Sequence, residues 1–166
     1  AASLPPEYRE IETAETITRG QLAVVIGVHF ETFLADAAAG RTTIITDARD
    51  HWGYGWILVV ARAGIMDPDT NYRFQPEQVV TRADLAQIAV RVLHLPAGDA
   101  ASPPVAARTS FSDLAPGHLS YPAAAEVVAA GVLPSLEQNM FQPGRPVSGA
   151  ELMTAIGRLG VLVGGL

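Results

Sequence analysis

The segment Asp67-Pro68-Asp69-Thr70-Asn71 opens like a calcium-binding loop, with side-chain oxygens at alternate positions. The imitation fails at Tyr72, where such a loop needs glycine for its turn, and at Gln78, where a bidentate glutamate would close the coordination shell. The segment is therefore read as a solvated loop. His51 and His118 recur at equivalent places, but one imidazole per unit does not assemble a zinc site. They are read as hydrogen-bonding groups at element starts, and neither a metal nor a cofactor is expected.

Covalent chemistry has few candidates. The chain has no cysteine, and all eleven of its basic residues are arginine. Thiolate nucleophiles, cysteine-ligated metals, Schiff bases and phosphate loops built on lysine are thereby excluded. There is no Gly-x-Ser-x-Gly elbow, His-Glu-x-x-His pair, dinucleotide glycine fingerprint or Walker loop. A non-catalytic protein is expected. A carbohydrate-processing enzyme using paired carboxylates is unsupported by any motif but not excluded by the residues.

The formal charge of −6 and the absence of any basic run argue against a nucleic-acid partner, because counterion release requires a basic face. No run approaches the roughly 20 apolar residues of a membrane span. Arg62 interrupts Val59–Ile65, and Val161–Val163 is short. The start at Ala1 lacks the basic and apolar regions of a signal peptide, so an export signal is expected to have been removed or to lie on a longer precursor. With 166 residues, 49% of them hydrophobic, the chain can form one compact domain or a tightly packed set of repeats.

Self-similarity decides for repeats. At an offset of 67, His51–Leu85 falls on His118–Leu152 without a gap, with eleven identities. They include Tyr54/Tyr121, Gly64/Gly131, Phe74-Gln75-Pro76/Phe141-Gln142-Pro143 and Val80/Val147. A partial third copy lies upstream, where Ile17–Ala23 overlays Val80–Ala86 and the preceding half is missing or degenerate.

Each unit reads as two helices and a loop. Asp47 or Asp113 opens a polar turn, followed by helix-like apolar spacing over 52–63 or 121–130. Gly64 and Gly131 stand where a helix end needs positive φ. A polar loop ends in Phe-Gln-Pro. Thr18, Thr81 and Ser148 then cap a longer helix, with Gln21, Asp84 and Glu151 three residues on to complete the capping box. Leu22, Val25, Ile26 and His29, and Leu85, Ile88, Ala89 and Val92, form stripes directed at a common core. Linkers are expected at about Ala35–Thr43 and Pro96–Ser110.

The Asp turn, the His51-Trp52 pair, Ala63-Gly64-Ile65, the aromatic-x-Pro loop and Val80-Thr81-Arg82-Ala83-Asp84-Leu85-Ala86 together resemble the S-layer homology repeat. On this resemblance, 1–43 is a partial first repeat and linker, 44–95 a second repeat, 96–110 a linker and 111–166 a third repeat. The resemblance implies an all-α fold, a pseudo-threefold helical bundle with grooves between repeats. It also implies an exported, non-catalytic module of the cell envelope that binds cell-wall-linked polysaccharide or peptidoglycan, often through pyruvylated or otherwise anionic sugars.

The implied ligand-binding residues are Arg19, Arg82, Trp52, Asp47 and Asp113. An arginine beside a helix N-terminus suits a ligand carboxylate. The alternative is that Arg19 and Arg82 pair with nearby acids or cover apolar surface with their stems. Trp52 stands either as a sugar-stacking face or as core, with Leu119 in its place in the last repeat. Asp47 and Asp113 either orient the groove by pairing with Arg82 or simply form turns. Gly149 replaces the arginine in the third copy, so at most two grooves are expected to bind in this way. A structural or assembly subunit of a surface layer or filament, using the apolar linkers to contact other envelope proteins or itself, is the alternative function.

Overall fold

A computed structural model describes residues 4–95 and 109–164. Among these the chain is all-α. Its helices are α1 (Pro6–Arg9), α2 (Arg19–His29), α3 (Glu31–Ala38), α4 (Tyr54–Arg62), α5 (Arg82–Leu93), α6 (Tyr121–Ala129) and α7 (Gly149–Gly164), with a 3-10 turn at Glu137–Asn139. The only β pairing among the described residues is in isolated bridges. No single helix in this part of the chain is long and apolar enough to cross a membrane.

The three long capped helices begin in the same way. The Thr18 hydroxyl accepts the Gln21 amide while the Gln21 side chain accepts the Thr18 amide, and Thr81 with Asp84 repeats the exchange. Ser148 and Glu151 make the same pair at α7. Each satisfies amides that the first turn of a helix leaves without partners. The shorter helices α4 and α6 are followed by Gly64 and Gly131 at φ +78° and +79°, a left-handed conformation that glycine adopts without steric cost.

The expected linker at Ala35–Thr43 is shorter than its composition suggests. Residues 31–38 form α3, which leaves α2 at a bend of 100°. Leu34 buries itself completely, so this alanine-rich stretch has a core contact to fold around. His29, placed by periodicity on the apolar stripe of α2, is exposed at the helix end and hydrogen-bonds the Tyr8 hydroxyl at 3.0 Å. Of the expected second linker, 96–108 lies outside the described residues.

Packing crosses the unit boundaries. Helix α4 lies on α2 and α3, α6 lies on α5, and α7 touches both α2 and α5. The first helix of one unit is therefore seated on the capped helix of the unit before it. At α2 the approach is close enough that a Cβ on Gly27 would stand 2.6 Å from Trp56 Cδ1 of α4. The residues preceding the three capped helices close a ring of backbone hydrogen bonds. Ile17 N–H donates to Val147 O (2.9 Å), Val147 N–H to Val80 O (3.0 Å) and Val80 N–H to Ile17 O (3.0 Å). The three side chains are fully buried in one continuous core drawn from all three units.

Candidate functional site

The polar residues singled out by the sequence converge where one unit meets the next. The loop closing the second unit passes through Phe74-Gln75-Pro76, with Gln75 in the left-handed region at φ +57°. This turns the Phe74 and Gln75 amides toward one point, where the Asp47 carboxylate accepts both, at 2.7 and 2.9 Å. In the third unit Gln142 has φ +54°, and Asp113 accepts the Phe141 and Gln142 amides at 2.8 Å each. Both oxygens of each aspartate are therefore occupied by backbone. The expected direct pairing of Asp47 and Asp113 with Arg82 is not made: Asp113 is linked to Arg82 only through the Phe141 peptide, and Asp47 in the same way to Arg19.

The arginines hold the other side of that peptide. From the start of α2, Arg19 Nε donates to Phe74 O (2.9 Å) and Nη2 to Asp67 O (2.9 Å), with the guanidinium 4.7 Å over the Phe74 ring. From the start of α5, Arg82 Nε donates to Phe141 O (2.7 Å) and Nη2 to Pro134 O (2.7 Å), 4.6 Å over the Phe141 ring. Each arginine thus clamps the loop of the following unit. Arg82 adds an ion pair from Nη1 to Glu151 Oε1 at 2.9 Å and is completely buried, whereas Arg19 is partly exposed. Burial lowers the pKa of both guanidinium groups. Glu151 counters this at Arg82, and Asp84, Asp67, Asp47 and Asp69 counter it at Arg19.

The third equivalent position has no room for a clamp. A Cβ on Gly149 would lie 1.7 Å from the carbonyl oxygen of Ile11, and the Gly149 amide donates to Ala14 O at 2.9 Å. The N-terminal segment occupies this junction, so the glycine answers to a backbone packed against it.

Trp52 is half-buried against the core and stacks on His51, with centroids 5.4 Å apart. His51 Nδ1 accepts the Gly53 amide (2.9 Å), as His118 Nδ1 accepts that of Ser120 (3.0 Å). Burial lowers the pKa of His51, and protonating Nδ1 would cost it this hydrogen bond. Leu119, in the place of Trp52, is 91% exposed. In the Asp67–Asn71 loop the carboxylates serve the protein itself. Asp69 accepts the Arg73 and Asn71 amides and the Gln75 side chain, which hold its pKa below the ordinary value, and Asp67 pairs with Arg91 at 2.9 Å.

Beside the second clamp is an open cleft of about 350 Å³ between the 132–136 segment and the first half of α7. Arg145, Arg158 and Glu151 line it, with Thr154 and Ser148. Arg145 and Arg158 had no place in the sequence reading. The available signal was the mismatch of Gln78 with Arg145 in the repeat alignment.

Tandem helical units joined by arginine-clamped loops, with an open cleft beside the second clamp, define a helical repeat protein. The S-layer homology domain model matches residues 44–86 and 110–153, and the chain belongs to that family. The chain is 33% identical over 132 residues to the S-layer protein sap of Bacillus anthracis, a stretch covering 78% of this chain and 15% of that protein.

Proposed function

We propose that this chain is a non-catalytic anchoring module of the cell envelope, which holds an exported protein on the cell surface by binding wall-linked polysaccharide in the clefts between units. The observation that carries this reading is an open, arginine-lined cleft in the third S-layer homology unit, beside the point where Arg82 of the second unit reaches Pro134 O and Glu151. The S-layer relative supports the envelope setting. The units are 1–43, 44–95 and 111–166, joined by 96–110, and we take their arrangement to be pseudo-threefold; the cyclic hydrogen bonds of Ile17, Val80 and Val147 support it.

The residues divide by what they have left to offer. Arg82, with Nε, Nη1 and Nη2 all engaged, positions the loop, as do Asp47 and Asp113. Arg19 is half-exposed and uses Nε and Nη2 on backbone, so Nη1 serves a ligand, while Trp52 offers its unburied edge to a sugar ring. The ligand is an anionic wall glycan, a pyruvylated one fitting the same chemistry. Co-sedimentation with purified wall fragments tests this. The wild-type chain pellets with them, and Arg19→Gln and Trp52→Ala lower the bound fraction at a temperature where circular dichroism shows both variants to be fully folded. A folded wild-type chain that stays in the supernatant sinks the proposal.

A second reading, assembly with other envelope proteins or with itself, draws on exposed Leu119, Ile44, Val161 and Leu162. It predicts concentration-dependent association in sedimentation velocity, abolished by Leu119→Ser with Val161→Ser and Leu162→Ser.

A further inference from the structure

Each capped helix has an outer face turned away from the shared core, and the three copies treat it differently. On α2 this face is Gly20, Val24 and Gly27, all buried, because the second unit seats the start of its first helix there. A Cβ on Gly20 would lie 2.5 Å from His51 Nε2 and one on Gly27 2.6 Å from Trp56 Cδ1, while Gly53 lies against Val24. On α5 the equivalent Ala83, Gln87 and Val90 are only partly covered by α6, and one turn further His94 Nε2 meets Glu126 Oε2 of α6 at 2.9 Å. On α7 the same positions are Ala150, Thr154 and Gly157, followed by Val161, and all four are exposed. A Cβ on Gly157 would meet nothing within 4 Å.

The bare face has the composition of a covered one. A helix with one side in water ordinarily carries charge there, whereas a helix apolar all round is covered all round. Helix α7 buries Leu152, Ala155, Ile156 and Leu159 on its inner side, yet only two of its sixteen residues are charged, Glu151 and Arg158. Val161 and Leu162 are left 58% and 51% exposed. Ala150, Thr154, Gly157 and Val161 are spaced four, three and four residues apart, the interval of a seam between paired helices.

The charges say which helix completes the pair. Glu151 and Arg158 stand seven residues apart on one flank of the seam. When two copies of α7 lie antiparallel about a two-fold axis, Arg158 of each faces Glu151 of the other, Ala150 faces Val161, and Thr154 faces Gly157. A parallel pair leaves both charges opposite the uncharged flank of Met153 and Gly160. Arg158 is free for this contact, since no carboxylate among the described residues lies within ion-pair distance of it. Its equivalent, Arg91, is held by Asp67 at 2.9 Å, but Pro134 and Leu136 stand where the second unit has Asp67 and Asp69. Glu151 takes Arg82 on one oxygen and the Ser148 amide on the other, and each oxygen keeps a second lone pair.

We infer that the outer face of α7 is where two copies of this chain meet, as an antiparallel pair of α7 helices centred near Thr154 and Gly157, with Arg158 of each copy answering Glu151 of the other. The second copy covers on α7 what the following unit covers on α2. The inference rests on the assembly reading for self-association and is independent of anchoring. Ala150, Thr154 and Arg158 also line the open cleft, so a glycan held there and the second α7 compete for one rim, and pairing belongs to the chain away from the wall.

Sedimentation velocity of the glycan-free chain at concentrations up to about 1 mM, together with disulfide trapping, tests it. The wild-type chain sediments as a monomer in equilibrium with a dimer. Gly157→Glu sets two like charges in the seam, at a position with free space around it, and weakens dimerisation about tenfold or more. It leaves the melting temperature of the monomer undiminished, because glutamate is the better helix former. Gly55→Glu, the same change at an open position on α4, leaves dimerisation as it was. The chain has no cysteine, so single thiols report the register. An equimolar mixture of Ala150→Cys and Val161→Cys chains forms the mixed disulfide in preference to either homodimer. Homodimers in preference overturn the antiparallel pair. Dimerisation unchanged by Gly157→Glu but lost in Leu119→Ser overturns the α7 contact and leaves the assembly reading standing. A chain that stays monomeric throughout overturns both the contact and self-assembly, with anchoring untouched. A monomeric chain whose Thr154 and Gly157 amide resonances shift on titration with a peptide of residues 48–66 gives this face to the opening helix of another S-layer homology unit, and overturns the pairing as well.

Discussion

Arg19 and Arg82 occupy one position of one motif and reach the same two carbonyls of the loop that follows, yet they experience different surroundings. At the first junction the guanidinium is partly in water, with four aspartate carboxylates near but none within ion-pair distance, and its carbonyl partners can be rehydrated if it is removed. At the second it is completely buried, paired with the partly exposed Glu151, and donates to one buried carbonyl, Phe141 O, and to one at the edge of the open cleft, Pro134 O. The difference teaches that a repeated residue can be a structural bolt in one copy and a candidate ligand contact in the next. The decision is made by what the neighbouring unit supplies.

The comparison breaks most sharply at Arg82. Arg82→Ala strips a buried guanidinium from a partly exposed carboxylate and from two carbonyls, one of them buried, and chemical denaturation is expected to register a loss of about 2–4 kcal/mol. Arg82→Lys recovers only part, because an ammonium lacks the planar fork. Next comes the junction without a clamp. Gly149→Ala drives a Cβ into the Ile11 carbonyl and costs about 2–3 kcal/mol, against the gain that alanine usually brings to a helix. A neutral or stabilising outcome there would mean that the N-terminal segment does not hold its place. Arg19→Ala costs about 1–2 kcal/mol by the same measurement, and a loss matching that of Arg82→Ala would erase the distinction between the junctions.

The smallest effect is with pH. His51 is held neutral by burial, so the folded chain takes up its proton at lower pH than the unfolded chain does. Stability is complete above the unfolded value of about 6.5 and falls as the pH drops below it toward the folded value. Denaturation midpoints between pH 7.5 and 5 are expected to decline in the wild type and to flatten in His51→Asn, whose side chain can still accept the Gly53 amide. His29, exposed at the helix end but partly desolvated against Tyr8, is shifted in the same direction and is expected to leave a smaller residual decline in that variant.

Much of this architecture was legible beforehand because its causes are local. A hydroxyl three residues before an acid or amide caps a helix whatever lies around it, and glycine after an apolar stretch marks a helix end needing positive φ. Helix α3 escaped notice because its alanines carry little periodic contrast, and only the burial of Leu34 by tertiary contact made the segment a helix worth forming. The left-handed Gln75 and Gln142 were equally silent. Nothing in glutamine asks for positive φ, and the conformation persists because Asp47 and Asp113, 28 and 29 residues away, accept the amides it exposes.

By itself the sequence determined the repeat, the helix caps, the apolar faces and the arginine and aspartate of each motif. Those follow from propensities and periodicities that act over a few residues. Which side chains remain free was decided only by the tertiary structure, since freedom depends on partners brought from units 50 to 70 residues apart. Arg82 was buried by the loop of the third unit, Arg91 was tied by Asp67, and Arg145 with Arg158 kept an open cleft because proline and leucine stand where the preceding unit has aspartates.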